Sequence, residues 1–126
     1  IWALTSKQSS YLVKRGNVTF SADPLNLSAK NSKVASGLAN EKALGITQEN
    51  GQIIVRSKVA KTANKPAKNV QTIKFNQHKS ARKAALAVAT LTKGYRDDLR
   101  TAAVKRTSQY SRSKLAKKSY TQKSRN

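Results

Sequence analysis

The sequence predicts an α+β fold. A small antiparallel sheet of hairpins is expected over about residues 10–75, two helices over about residues 80–113, and a basic tail over residues 114–126. Two turn signals and one alanine-rich stretch lead to this prediction. Gly16-Asn17 and Asn50-Gly51 each separate two runs that contain β-branched and aromatic residues, which is typical of β-hairpins. Ala and Leu recur at helical spacing after residue 80. We therefore expect a single domain over residues 1–113, followed by the tail.

The first predicted hairpin covers residues 10–22 and follows a short lead-in, residues 1–7, that is compatible with either a helix or an extended segment. In the lead-in, Trp2 and Leu4 are expected to pack against the sheet as core residues, with base stacking as the alternative for Trp2. The turn at Gly16-Asn17 places four apolar side chains of the hairpin on one face. We expect this face to be buried; it contains Tyr11, Val13, Val18 and Phe20.

The second predicted hairpin covers residues 43–57 and turns at Asn50-Gly51. Its expected core face contains Leu44, Ile46, Ile53 and Val55, and Ile54 is expected on the outer face. Before this hairpin, residues 23–26 are predicted to turn, because Pro24 cannot donate to a strand ladder. Residues 26–40 are expected to be an ordered loop, although their composition also permits disorder.

The segment after the second hairpin, residues 58–69, is interpreted as a basic linker that cannot bury a core of its own. It is followed by a short predicted strand over residues 70–75, with Ile73 and Phe75 on one side. The basic tail from Lys114 onward is expected to become ordered on binding a partner.

The two predicted helices each carry one apolar stripe. The first helix covers residues 80–93 and ends before Gly94, with a stripe of Ala81, Ala84, Ala85, Val88 and Leu91. The second helix runs from about Asp97 to about Ser113, with Asp98 beside Asp97 at its positive end. Its stripe contains Leu99, Ala102, Ala103 and Tyr110. Between the helices, Tyr95 is expected to pack in the junction, and stacking with Arg96 is the alternative.

The charge of the chain points to a nucleic acid as partner. Lys and Arg total 26 against 5 acids, which gives a formal charge of +21. Residues 61–126 hold 18 of these cations and 2 of the acids, so the second half carries most of the charge. Such a balance favours acidic partners, of which nucleic acid is the most common. An anionic membrane is disfavoured, because the chain has no apolar run of the ~20 residues that span a bilayer.

The residues that catalysis or metal binding would require are sparse in this chain. There is no Cys, and His78 is the single histidine. Asp97 and Asp98 are adjacent at a predicted helix start, so their carboxylates diverge and do not form a facing pair. No spacing matches a metal site or a glycine-rich phosphate loop. We therefore expect a protein that is not an enzyme and that uses no cofactor, metal or small-molecule substrate.

Several short motifs stand out along the chain, namely Trp2 and residues 9–15 (SSYLVKR), 23–27 (DPLNL), 29–32 (AKNS), 37–38 (GL), 95–100 (YRDDLR) and 102–106 (AAVKR). In this order they resemble a family of eukaryotic large-subunit ribosomal proteins, the L28e family. The resemblance implies an α+β structural protein of the large subunit. Its implied partners are ribosomal RNA and neighbouring ribosomal proteins, on a cytoplasmic ribosome that is assembled in the nucleolus. A ribosome-assembly factor with a related domain and a DNA-compacting protein remain the alternatives.

The residues expected near RNA are mostly cations. Those that lie within the matching motifs are Lys14, Arg15, Lys30, Asn31, Arg96, Arg100, Lys105 and Arg106. Charge and position add Lys33, Lys58, Lys61, Lys65, Lys79, Arg82, Lys83, Arg112, Lys117 and Lys118. Arg is expected to make the more specific contacts, because its planar guanidinium group bridges phosphate oxygens and stacks on bases.

Overall fold

The α+β class is confirmed in a computed structural model, which describes residues 1–125. The helices are α1 (Trp2–Thr5), α2 (Ala81–Thr92) and α3 (Arg100–Ser113). The strands are β1 (Leu12–Arg15), β2 (Val18–Ser21), β3 (Leu44–Glu49), β4 (Gln52–Lys58) and β5 (Val70–Lys74). Short 3-10 turns occur at Ala60–Thr62, Pro66–Lys68 and Asp97–Leu99. Residues 1–7 therefore begin with a single helical turn.

The strands form two antiparallel sheets rather than one, β1-β2 and β3-β4-β5. Both predicted hairpin registers are confirmed, with Arg15 opposite Val18 and Glu49 opposite Gln52. At the second turn Asn50 has a φ of 50° and Gly51 a φ of 75°. Two successive positive φ angles match the right-handed twist of the paired strands, which is why an Asn-Gly pair specifies this turn.

The main core lies between one face of the three-stranded sheet and the two long helices. The predicted core face of the second hairpin is confirmed, because Leu44, Ile46, Ile53 and Val55 are all buried. They pack with Phe75 and with small side chains of the helices, Ala84, Val88 and Ala103. Small residues at the contact allow helices to approach closely, so α2 and α3 pack tightly on each other and on the sheet.

The second face of the same sheet is also covered, and here the expectation for Ile54 was wrong. Ile54 is buried at 2% exposure instead of facing outward. The turn at Pro24 and Leu25 lies on this face, where a Cβ on Gly45 would meet backbone atoms of both residues. The pattern along one strand does not reveal this cover, because the Pro24 turn lies about thirty positions before Ile54 in the chain.

The predicted core face of the first hairpin was wrong for two of its residues. Val18 is 53% exposed and Phe20 is 41% exposed, whereas Tyr11 and Val13 are half-buried. Leu4 is also exposed, and Trp2 is half-buried beside Tyr11 in a small crevice. Alternation predicts which side chains share a face, but it does not say whether another element packs on that face.

The loop between the hairpins is ordered by asparagine side chains. The Asn26 amide donates to the Lys30 carbonyl oxygen at 3.0 Å, and the Asn40 amide donates to the carbonyl oxygens of Lys33 and Ser36, each at 2.7 Å. These bonds satisfy backbone acceptors that no strand or helix pairs. The predicted basic linker, residues 58–69, is instead the loop of a hairpin. The strands β4 and β5 pair directly, and the Val59 amide donates to the Asn69 carbonyl oxygen.

α2 has its predicted bounds to within one residue, and α3 ends at Ser113 as predicted. However, α3 begins at Arg100, three residues after Asp97, and the buried stripe of α2 is rotated. Ser80 caps α2 by accepting from the Lys83 amide, and Gly94 has a φ of 75° after its end. The buried side chains of α2 are Ala84, Val88, Ala89 and Thr92. Ala81 and Leu91 are exposed, contrary to expectation. An alanine-rich helix has apolar residues on several faces, so its buried stripe is weakly specified.

Candidate nucleic-acid interface

A basic groove, called here the α2–α3 groove, lies between the start of α2 and the end of α3. Its volume is about 530 Å³. The cationic side chains that line it are Lys79, Arg82, Arg112 and Lys114. Its other lining residues are polar or apolar, namely Gln77, Ser80, Ala81, Ala85, Ser108, Ser111 and Leu115. The lining contains no acid, so the groove offers a one-signed field to a polyanion.

The small side chains at the bottom of the groove explain its shape. Ala81 and Ala85 lie one helical turn apart on α2, and they face Ser108 and Ser111 of α3. The long side chains of Arg82 and the other cations therefore border a surface of small side chains. A chain of phosphates can approach such a surface along its length, and each contact with Lys or Arg releases condensed counterions.

The basic surface continues from the groove around the start of α2. A neighbouring depression of about 410 Å³ is lined by Asn76, His78, Lys79, Ser80 and Lys83. Lys79 belongs to both surfaces, and its ammonium lies 4.4 Å from the centre of the Phe75 ring. The structure therefore brings together four of the predicted RNA-binding cations, Lys79, Arg82, Lys83 and Arg112.

The remaining exposed cations of the predicted set are spread over the molecule. Lys14 and Arg15 lie at the turn of the first hairpin, and Lys30 and Lys33 lie in the loop that follows it. Lys61 and Lys65 lie in the loop between β4 and β5, Arg100 and Lys105 on α3, and Lys117 and Lys118 in the tail. These side chains are exposed, but they do not line the α2–α3 groove.

Four predicted residues direct their polar groups toward the protein's own backbone. The Asn31 amide donates to the Ser6 carbonyl oxygen at 2.8 Å, and the Lys58 ammonium donates to that of Asn40 at 3.1 Å. Arg96 donates to the carbonyl oxygens of Val34 and Lys42, and Arg106 donates to that of Leu27 at 3.0 Å. Each of these side chains joins distant segments of the chain, which is a structural role compatible with further contacts.

Tyr95 packs in the junction between the helices, as expected. Its hydroxyl lies 2.6 Å from the Lys58 carbonyl oxygen and 3.2 Å from that of Ala43, where β4 ends and β3 begins. Burial raises the pKa of the Tyr95 hydroxyl above its ordinary value. The hydroxyl therefore stays protonated and donates, and the ring is held in one orientation.

We expect the Arg106→Gln substitution to destabilise the fold by about 1–2 kcal/mol, because it leaves the Leu27 carbonyl without its charged donor. The substitution also removes the bond from Arg106 to the Tyr110 hydroxyl at 3.1 Å. Urea unfolding measures the change. The matched control is Lys105→Gln at the exposed neighbouring position, which is expected to change the free energy of unfolding by less than about 0.5 kcal/mol. Equal effects of the two substitutions would contradict the structural role of Arg106.

The ion pair between Arg96 and Asp98 is expected to make stability slightly dependent on acid. Arg96 hydrogen-bonds Asp98 at 2.7 Å and thereby lowers the pKa of that carboxyl group. A carboxyl group whose pKa is lower in the folded protein contributes its full stabilisation when the pH is above its unfolded pKa of about 4. This stabilisation is lost as the pH falls through the pKa of the folded state. Because Asp98 is 54% exposed, we expect a contribution below about 1 kcal/mol.

Urea unfolding at pH 6 and pH 3 checks this dependence, with Asp98→Asn as the variant. Asp98→Asn should lose less stability on acidification than the unchanged chain does. Glu41→Gln, which removes a carboxylate outside the Arg96–Asp98 pair, serves as the control for general charge effects. An identical loss in Asp98→Asn and in the unchanged chain would show that the ion pair contributes nothing.

Within residues 1–125 the structure contains two ion pairs, Arg56–Glu49 and Arg96–Asp98. The other described cations therefore form no ion pair with a carboxylate of residues 1–125. No group of three or more His, Asp or Glu side chains in the described part could hold a metal ion. Among the described helices, none has the length and apolar composition that a membrane span requires.

Sequence reasoning missed several residues of the groove. Ser108, Ser111 and Leu115 were not predicted, although helical spacing places them on the same face of α3 and its extension as the predicted Arg112. The spacing could have placed these residues on one face, but a search for cations does not consider serine. Lys114 was assigned to the tail, although it immediately follows α3 and lines the groove.

Comparison with known proteins gives consistent results. A model described as the ribosomal L28e protein family matches residues 1–113, which end where α3 ends. A Dictyostelium discoideum protein named large ribosomal subunit protein eL28 is 37% identical over 106 residues, covering 84% of this chain and 80% of that protein. A Schizosaccharomyces pombe protein of the same name is 34% identical over 125 residues, covering 94% of this chain and 92% of that protein.

Proposed function

This chain belongs to the ribosomal L28e protein family, and on that basis we propose that it binds ribosomal RNA through contacts of Lys and Arg with phosphates. At the coarser level it is a structural protein of the eukaryotic large ribosomal subunit, and its family is not a class of enzymes. Its work in translation is therefore architectural. The proposal adds the chemistry by which the chain holds its RNA.

The α2–α3 groove is the observation that carries this proposal. Four cations line it and no acid does, in a chain whose described part forms only two ion pairs. Cations that stay unpaired at short distances repel one another, and a phosphate backbone removes that repulsion. We assign the first RNA contacts to Lys79, Arg82 and Arg112, with Lys83 beside them.

The exposed cations elsewhere are proposed as secondary contacts on the same RNA or on adjacent segments. The hairpin turn at Lys14 and Arg15, and the loop with Lys61 and Lys65, extend the basic surface in separate directions. Neighbouring ribosomal proteins are proposed to pack against the parts of the surface that remain uncharged. We place the protein on cytoplasmic ribosomes, with its incorporation occurring in the nucleolus.

Filter binding of the purified protein to large-subunit ribosomal RNA over a salt series tests this proposal. If ~6–10 phosphates are contacted, affinity should fall roughly 10³- to 10⁵-fold between ~50 and ~200 mM salt. The control ligand is polyglutamate, a polyanion without nucleotides, which should bind more weakly at every salt concentration. Affinity that is independent of salt, or equal for the two polyanions, would contradict binding through specific RNA phosphate contacts.

The tail is proposed to become ordered on the RNA. Residues 115–125 contain neither helix nor strand, and their side chains are exposed. Amide hydrogen exchange on the free protein and on the RNA complex tests this directly. We expect fast exchange in the free protein and slowed exchange in the complex. Strong protection of the tail before RNA is added would refute the proposal.

A further inference from the structure

A second concave site, called here the Tyr95 cleft, lies at the other end of α2 from the α2–α3 groove. Its volume is about 350 Å³, within the range of ~300–1,000 Å³ that small ligands occupy. Leu44, Val55 and Ile73 of the sheet form its apolar bottom. Leu91 and Tyr95 form one wall, and Val59 with Ala60 forms the other. The sequence did not predict this cleft.

The cleft lies at the end of α2. α2 ends at Thr92, and Gly94, with a φ of 75°, leads into Tyr95, whose hydroxyl bonds to backbone at the ends of β3 and β4. Leu91 is 38% exposed and Ile73 is only partly buried. Apolar side chains left open inside a concave site are typical of a surface that another molecule completes.

The aromatic wall of the cleft is fixed in place. The Tyr95 hydroxyl is bonded to backbone at the ends of β3 and β4, so the ring does not need to be ordered when a ligand binds. A pre-ordered ring loses little conformational entropy on binding. Bases that are splayed out of RNA stack on such rings, and each stacked base contributes ~1–3 kcal/mol.

The rim of the cleft favours a nucleotide over an apolar protein side chain. Lys42 and Lys58 line it, and the Lys42 ammonium lies 5.8 Å from the centre of the Tyr95 ring. Ser57 and Gln71 add groups that can donate to and accept from a base edge, and no acid lines the cleft. A base enters together with its phosphates, which would meet the Lys42 ammonium, whereas an apolar side chain would leave that ammonium without a partner.

We propose that the Tyr95 cleft receives one unstacked nucleobase of the bound RNA, with Tyr95 and Leu91 against its faces and Lys42 near its phosphate. This inference rests on the proposed function, because it names a second contact on the same RNA. Arg82 in the groove and Leu91 at the cleft are separated by about 13 Å along the axis of α2. One folded RNA segment can therefore reach both sites.

Ala60→Phe tests the proposal by filling the mouth of the cleft from an exposed position. The matched control is Ala63→Phe, which adds the same ring at an exposed position that does not line the cleft. The probes are a fully paired RNA hairpin, the same hairpin with one bulged adenosine, and the same hairpin with an abasic bulge. The abasic probe has the flexibility of the bulge without its base.

The unchanged protein and Ala63→Phe should prefer the bulged adenosine over both other probes by about tenfold or more, as one stacked base predicts. Ala60→Phe should lose this preference and keep its affinity for the paired hairpin. A preference that survives in Ala60→Phe, or that the abasic bulge also shows, would overturn the base-binding proposal. So would equal binding of all three probes by the unchanged protein, which is the result expected if the cleft receives a side chain of a neighbouring protein.

A photoactivatable 4-thiouridine at the bulge provides a second measurement that needs no substitution. Mass spectrometry should find the crosslink on the peptides that line the cleft, which contain Leu91 and Tyr95. A crosslink confined to other peptides would contradict the proposal. If the protein binds none of the hairpins, the proposed RNA binding itself fails, and this outcome is distinct from a loss of base preference.

Discussion

Replacement of Lys79, Arg82 and Arg112 together by Gln is expected to weaken binding to large-subunit ribosomal RNA roughly a hundredfold at ~0.1 M salt. The three cations line one groove without an acid among them, so each can contact a phosphate of the same RNA segment. Losing about three such contacts should also lower the steepness of the salt dependence by about two to three. Filter binding over a salt series measures both quantities.

The matched control removes the same charge from cations outside the predicted RNA-binding set, by replacing Lys7, Lys68 and Lys74 with Gln. These side chains are exposed, and they lie outside the groove. We expect the fold-loss of RNA affinity in the control to be less than a tenth of the fold-loss in the groove variant. Equal losses of RNA affinity in the two variants would mean that binding depends on net charge alone. The groove would then not be the RNA-binding site.

The fold of the groove variant has to be checked separately, because Lys79 also contacts the Phe75 ring. A cation over an aromatic ring at an exposed site contributes ~0.5–1 kcal/mol. Urea unfolding should therefore show a small loss of stability, with the protein folded under the binding conditions. The loss of RNA affinity is then assigned to the removed charges.

Gly45→Ala is expected to destabilise the protein by about 3 kcal/mol, which is the upper range for overpacking in a core. A Cβ at Gly45 would overlap the Pro24 carbonyl oxygen, and it would lie 2.8 Å from the Pro24 carbonyl carbon and 2.9 Å from the Leu25 Cα. These are backbone atoms, so no side chain can rotate to make room. Relief requires the turn at Pro24 to move away from the sheet face that carries Gly45.

Gly16→Ala provides the control for Gly45→Ala. Gly16 has a φ of 58° and has no atom within 4 Å of an added Cβ, so alanine there costs about 1–2 kcal/mol through backbone conformation alone. Urea unfolding of both variants measures the difference. If Gly45→Ala were no more destabilising than Gly16→Ala, the contact between the Pro24 turn and the sheet would be dispensable.

The structure brings only some of the predicted RNA-binding cations together, for reasons that depend on particular residues. Lys79, Arg82 and Arg112 could be named because a chain with few acids leaves its cations unpaired. The sequence could not predict that these three side chains line one groove, because this depends on how α2 packs against α3. Arg96 and Arg106 were grouped with the other cations, yet their guanidinium groups bond to the backbone of distant loops.

Several local features of this protein can be predicted from short stretches of its sequence. The hairpin registers, the bounds of α2 and the excess of cations follow from turn residues, helix formers and composition, all of which act over a few positions. The tertiary structure alone decided the exposure of Phe20, the burial of Ile54 and the bond from Arg106 to Leu27, which spans 79 positions. The physical reason is that burial and charge pairing depend on which distant segment covers a given face, and no local pattern contains that information.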